Sequence, residues 1–399
     1  MKILKRNITD TLLRFAKFPV VGVFGPRQSG KTTIVREVFK DHKYLNFEDP
    51  DTRDFALNDP KLFLSENENK NGIILDEFQY VPQILSYIQL EVDEKKRPGY
   101  FVLTGSQNFL MNQAITQSLA GRIGILTLLP LSINELQENN LIKDKSFNLS
   151  IINGGYPRIY SENFTAEEFY PSYIHSYAER DVRQLINVEN LTTFRMFMKL
   201  CAGRIGQLLN ISDLAMNCGI SQNTANSWLS ILEASYILFM LQPHHNNFNK
   251  RVVKTPKIFF YDTGLASSLL GIKTSEELLF STFRGHLFEN LIIADFFKQY
   301  FNAGKQPSLY FWRDKNGIFE VDCIVEETVS KLIPIEIKST QTVMSSLFDS
   351  LVKWYDISAS KEKGYLVYGG DLTQNRQNGK LVGWQDAGSL ILSLKDSMN

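Results

Sequence analysis

Gly25-Pro26-Arg27-Gln28-Ser29-Gly30-Lys31-Thr32-Thr33 is where this sequence concentrates its chemistry. The stretch fits G-x-x-x-x-G-K-[ST]: two glycines at a spacing that lets the backbone curl, then an ammonium and a hydroxyl. Backbone N–H groups turned inward by that curl, with the start of a helix behind them, form an anion site suited to phosphates. In that arrangement Lys31 reaches the outer phosphates and the Thr32 hydroxyl is a ligand for Mg2+. A second stretch, Gly72-Ile73-Ile74-Leu75-Asp76-Glu77, is an apolar run ending in two carboxylates. Ligands of open α/β sheets collect at the carboxyl ends of the strands. Asp76 is therefore expected to support the metal, and Glu77 to orient or deprotonate the attacking water.

These side chains need a frame. The apolar residues 20–24 read as the strand that delivers the loop, and residues 33–39, with Ile34, Val35, Val38 and Phe39 at helical spacing, read as the helix that leaves it. Residues 100–103 make a third strand, ending in Thr104-Gly105-Ser106-Gln107-Asn108. Ser106, Gln107 and Asn108 form a polar cluster at this strand end, the position from which a polar side chain of P-loop ATPases meets a terminal phosphate or the lytic water, and the spacing does not choose among them; Thr104 or Ser106 equally suits a helix cap. Arg122 precedes the apolar run 123–129 and is either a finger or phosphate sensor or a surface cation.

The succession GPRQSGKTT, ILDEFQYVP, VLTGSQNFL, LAGRIGILTLLPLS and NGGYPR resembles a group of prokaryotic AAA-type ATPases over nearly the whole chain. The resemblance implies a RecA/AAA-type P-loop NTPase with a parallel sheet (residues 1–161), a helical and winged-helix region (162–270), and a C-terminal domain of unassigned role (271–399). It implies ATP and Mg2+ as ligands, Glu77, Lys31 and Arg122 as the catalytic set, and homo-oligomers as an expected assembly. An arginine from the helical region, Arg180 or Arg183, is a further candidate for the nucleotide.

In the middle region, residues 208–236 read as two helices around Cys218-Gly219-Ile220-Ser221, a helix-turn-helix pattern. Residues 236–243 and 251–261 read as the strands of a wing. The second helix contains neither Lys nor Arg, while Lys250, Arg251, Lys254 and Lys257 crowd the wing. Phosphate contacts supply most of the affinity for DNA, so DNA binding is expected to rest on those wing cations, with domain packing as the rival role. Asp262 suits a helix cap.

Three separated pieces of the C-terminal region combine. Residues 276–300 read as one long helix in which Glu289 shares the apolar face with Ile292, Ile293 and Phe296. Residues 319–325 form a strand bearing Asp322, and residues 333–338 another on which Glu336 and Lys338 point to one face. This order resembles the restriction-endonuclease-like PD-(D/E)xK fold, with Val321 where a proline often stands. The resemblance implies that Glu289, Asp322 and Glu336 bind Mg2+ or Mn2+ and that Lys338 activates water for cleaving nucleic acid. The rival is a scaffold kept for binding, with Glu336 and Lys338 as an internal ion pair.

The 399 residues, 43% hydrophobic and 22% charged, suffice for two or three globular domains. Forty-three basic residues balance 43 acidic ones, so no global field selects a polyanionic partner. Three scattered cysteines make no disulfide framework. The polar amino terminus and the lack of any long uncharged apolar run lead to the expectation of a soluble cytoplasmic protein without membrane segments.

Overall fold

The computed structural model describes residues 3–105, 115, 118–142, 144–177, 191–245, 253–314, 316–328, 331–358 and 362–396. Ser106, Gln107, Asn108, Arg180, Arg183, Lys250 and Arg251 lie outside the described residues. The chain forms two compact units, one built on residues 1–130 with 234–236 and 301–305, the other on the remainder.

The first unit is a five-stranded parallel sheet of order β2-β3-β4-β1-β5. Its strands are β1 (Val20–Phe24), β2 (Lys43–Asn46), β3 (Ile73–Asp76), β4 (Phe101–Gly105) and β5 (Ile123–Thr127). A strand covered on both faces reads as an unbroken apolar run, and β1 does. Its alternation sends Val20 and Phe24 into one core and Val21 and Val23 into the other. Helix Ile84–Lys95 closes the first face with Ile84, Leu85, Ile88 and Val92. Helices Thr9–Phe15 and Lys31–Val38 close the second with Leu12, Ile34 and Val35. Because all five strands run the same way, their carboxyl ends share one rim, where the phosphate loop, Asp76 and Thr104 meet.

The second unit holds an eight-stranded mixed sheet of order β12-β13-β11-β10-β9-β8-β6-β7. Its strands are β6 (Leu238–Pro243), β7 (Lys257–Phe260), β8 (Leu309–Arg313), β9 (Glu320–Thr328), β10 (Lys331–Lys338), β11 (Tyr365–Tyr368), β12 (Gln374–Arg376) and β13 (Gly379–Gly383). Helix Ile211–Cys218 begins on an Asn210 cap and ends on left-handed Gly219 (φ 66°), and helix Gln222–Ala234 follows. Strands β6 and β7 pair antiparallel as a wing hairpin would, yet β6 also pairs in parallel with β8 through Gln242–Tyr310 and Pro243–Phe311. The expected wing strands are thus built into the large sheet. The long helix expected over 276–300 is two, Ser275–Phe280 and Arg284–Asn302. The strands bearing Asp322 and Glu336 are neighbours: β9 pairs antiparallel with β10 as far as Cys323–Ile335. Among the described residues no helix is long and apolar enough to cross a membrane.

Candidate active site

The phosphate loop leaves β1 at Gly25, whose φ of 153° and contact with the Leu128 carbonyl leave no room for a Cβ. Gln28 (φ 61°) and Gly30 (φ 95°) complete the curl, and helix Lys31–Val38 starts with no capping side chain. Backbone donors at such a start are available to an anion. Ser29 Oγ is buried in the loop with no hydrogen-bond partner among the described residues. Lys31 is buried, and its Nζ donates to the carbonyls of Gly25 (3.1 Å) and Pro26 (2.8 Å). Arg6 braces the loop from behind: Nη1 donates to the Ser29 carbonyl (2.8 Å) and Nη2 to that of Leu129 (2.7 Å).

Three hydroxyls converge on Asp76. Thr32 Oγ1 and Tyr44 OH donate to Oδ2 at 2.9 and 2.6 Å, and Thr104 Oγ1 donates to Oδ1. Burial and the neighbouring Asp76 carboxylate push the Tyr44 phenol well above its ordinary range. Glu77 follows in a left-handed conformation (φ 55°), and its carboxylate accepts from Gln79 Nε2. Burial raises the Glu77 carboxyl against the opposing pull of Lys31, the Gln79 bond and Arg27. The juxtaposed Thr32 hydroxyl and Asp76 carboxylate are an oxygen-only donor set, which suits a hard cation such as Mg2+.

Arg122 is elsewhere. It precedes β5, whose Ile123 pairs with Val20 at the amino end of β1. The arginine thus sits at the rim opposite the phosphate loop, a strand length of roughly 16 Å away. There Nε and Nη2 bind the Asp93 carboxylate at 2.7 and 2.8 Å. The structure therefore does not bring it to the loop with Lys31 and Glu77. Thr104, read from sequence as a cap, serves Asp76. Sequence reasoning missed Arg6 and Tyr44, single residues that no motif marks.

In the second unit three of the four C-terminal candidates meet, Asp322 and Glu336 on Lys338, while the fourth, Glu289, pairs with Lys257. Lys338 Nζ lies 2.9 Å from Asp322 Oδ2 and 2.8 Å from Glu336 Oε2, and the Ile337 N–H donates to Asp322 Oδ2 at 2.9 Å. Lys257 reaches in from β7, 3.2 Å from Glu289 Oε1 and in contact with Glu320, which Arg313 also meets at 3.3 Å. Burial raises Glu289 to about 7 and Glu336 to about 8, outweighing the lysines that pull the other way. Lys257, expected among solvent-facing wing cations, is instead buried in this cluster. Among the described residues no three His, Cys, Asp or Glu side chains are grouped to hold a metal ion. Asp322 and Glu336 share Lys338, while Glu289 pairs with Lys257. Asp262 does cap a helix, accepting from the Leu265 N–H (2.9 Å) and also from Gly155 N–H (2.7 Å) and Tyr170 OH (2.7 Å).

Residues 17–137 match the family described as an AAA domain. Residues 144–276 match a domain of unknown function (DUF8612), and residues 284–386 match another (DUF4143). The uncharacterized protein Rv2008c of Mycobacterium tuberculosis is 30% identical over 348 residues, spanning 86% of this chain and 75% of that one. The uncharacterized protein Mb2031c of Mycobacterium bovis gives the same figures. Among solved structures, the Walker-type ATPase PABY2304 of Pyrococcus abyssi shares 15% identity at a TM-score of 0.42, covering 67% of this chain and 96% of its own. The RuvB Holliday junction branch migration motor of Thermotoga maritima shares 17% at a TM-score of 0.33, covering 59% and 89%.

Proposed function

The chain belongs to the family of those mycobacterial proteins, an AAA-type P-loop ATPase joined to two further domains, and from that premise we propose that it binds ATP with Mg2+ and hydrolyses it to ADP and phosphate. The observation that carries this reading is the Thr32–Asp76 hydrogen bond at 2.9 Å, on the sheet rim where the phosphate loop begins. Thr32 and Asp76 would hold Mg2+, which when bound offsets charge on the outer phosphates. The loop amides and the helix start receive the phosphate oxygens. Lys31 exchanges its two carbonyl acceptors for them, placing a full positive charge where negative charge develops. Glu77 accepts a proton from the attacking water, and the raised carboxyl brings its affinity for protons closer to neutral pH. Homo-oligomers are part of this reading; the mass of the protein in solution with and without ATP checks them.

The test is ATP binding by the full chain. Wild type should bind ATP more tightly with Mg2+ than without, and Thr32→Ala should lose that difference while retaining metal-free binding. Folded wild type that ignores ATP under both conditions refutes the reading.

For the second unit, the Lys338 ion group favours the role of a partner-binding module driven by the ATPase, without cleavage. Asp322 and Glu336 are engaged by one ammonium at 2.9 and 2.8 Å. DNA as that partner would depend on exposed cations such as Lys254, since Lys257 is turned inward. Cutting of any nucleic acid with Mg2+ that stops in Asp322→Ala would overturn the non-cleaving role.

A further inference from the structure

Arg6 belongs to no motif of the sequence, yet its side chain is built into the phosphate loop. It is 6% exposed and stands between buried Leu4 and buried Ile8. Its own carbonyl accepts from the Thr9 hydroxyl at 2.7 Å, so the base of the side chain is fixed. One arm of the guanidinium donates to the Ser29 carbonyl and the other to the Leu129 carbonyl. Leu129 follows Leu128, whose N–H donates to the Phe24 carbonyl at 2.7 Å. The second arm therefore rests on backbone that runs beside the end of β1, and the guanidinium is held between two stretches of main chain. A rigid planar fork can hold two such acceptors at once in a way that a single ammonium cannot.

The bond to Ser29 fixes more than one carbonyl. In a trans peptide the C=O and the following N–H point in opposite directions. With the Ser29 carbonyl turned to Arg6, the Gly30 N–H is turned away from it, to the other side of the loop. Gly30 also makes the alternative easy. It sits at φ 95° with no Cβ to resist rotation, and a flip of the Ser29–Gly30 peptide would exchange that N–H for a carbonyl oxygen. An anion is attracted by the first and repelled by the second. We propose that Arg6 is a positioning residue for the nucleotide: it locks the Ser29–Gly30 peptide with its N–H toward the phosphates, so the donor is in place before ATP arrives. The inference rests on the ATP reading and adds to it a residue that acts through the backbone without touching the nucleotide.

The test is titration of the full chain with ATP, well below its thermal midpoint, with and without Mg2+, for wild type, Arg6→Ala and Arg6→Lys. Arg6→Ala should weaken ATP roughly 10- to 100-fold, the share of one hydrogen bond to a charged group. The factor should be the same with and without Mg2+, because the Thr32–Asp76 pair is left as it is. Arg6→Lys keeps the charge but not the fork, and should recover only part of the loss. A merely structural arginine would lower the thermal midpoint and leave the affinity of the folded protein unchanged. Wild-type affinity in either folded variant overturns the proposal and leaves the ATP reading standing, as does a loss confined to the Mg2+ titration. Folded wild type that binds no ATP overturns both. If Arg6→Ala does not fold, Arg6→Lys carries the test: weaker binding by one factor in both titrations supports the proposal, and wild-type affinity overturns it.

Discussion

At the phosphate loop Lys31 Nζ rests on two backbone carbonyls, whereas in the C-terminal sheet Lys338 Nζ rests on two carboxylates. Both lysines lie close to acids at strand ends. The difference lies in what their charge meets. A carbonyl is a dipole, so these two bonds cancel none of the Lys31 charge, which also acts on Glu77. The Asp322 carboxylate, held below its ordinary range, neutralises the Lys338 charge in place. Asp76 differs from Asp322 in the same way: three hydroxyls solvate it without cancelling its charge, while Lys338 cancels that of Asp322. The first arrangement is prepared for a ligand. The second is complete without one.

The largest effect should fall on the first. Lys31→Ala should lower ATP turnover on the order of a thousandfold, as loss of a preorganised charge donor does, measured by phosphate release at saturating Mg2+. A small loss would show that its charge is not what the loop supplies. Removing one member of the buried group in the second unit should cost stability. Lys257→Ala is expected to lose roughly 3–5 kcal/mol in denaturant unfolding, and an unchanged midpoint would mean that the group is not closed.

An intermediate effect concerns pH. A carboxyl raised on folding from an ordinary 4.5 to about 8, as Glu336 is, holds its proton more tightly when folded. Its favourable contribution is complete below 4.5 and disappears as the pH climbs to about 8. Stability should therefore fall across that window, and Glu336→Gln should flatten the fall in melts taken at a series of pH values. The smallest effect belongs to Tyr44→Phe. It removes one hydroxyl from Asp76, a bond worth about 1 kcal/mol, and should raise the Mg2+ needed for half-maximal turnover less than tenfold without changing metal-free ATP binding. An unaltered Mg2+ requirement would remove Tyr44 from the account.

The nucleotide site is legible in sequence because local rules write it. Gly25 must be glycine at a φ of 153°, the apolar run of β1 must be covered on both faces, and two acids must end β3. Glu289 was likewise betrayed by its apolar helix face. What escaped depends on contacts between distant segments. Lys257 reads as one of four crowded cations, and only the pairing of β6 with β8 shows why it turns inward. Arg122 carries the same chemistry whether it meets a phosphate or Asp93, and within the chain the direction of β5 takes it to Asp93. Tyr44 and Arg6 each contribute through one side chain across the fold, and a lone tyrosine or arginine has no spacing to be recognised by.

The most direct measurement of the central claim is phosphate release from Mg2+-ATP by the purified full chain, wild type against Glu77→Gln. Steady Mg2+-dependent release by wild type is predicted. Glu77→Gln should keep ATP bound and lose on the order of a hundredfold or more in rate, the usual share of a general base. Equal rates for the two proteins, or no release by folded wild type, would contradict the assignment of the sheet rim as an ATP-hydrolysing site.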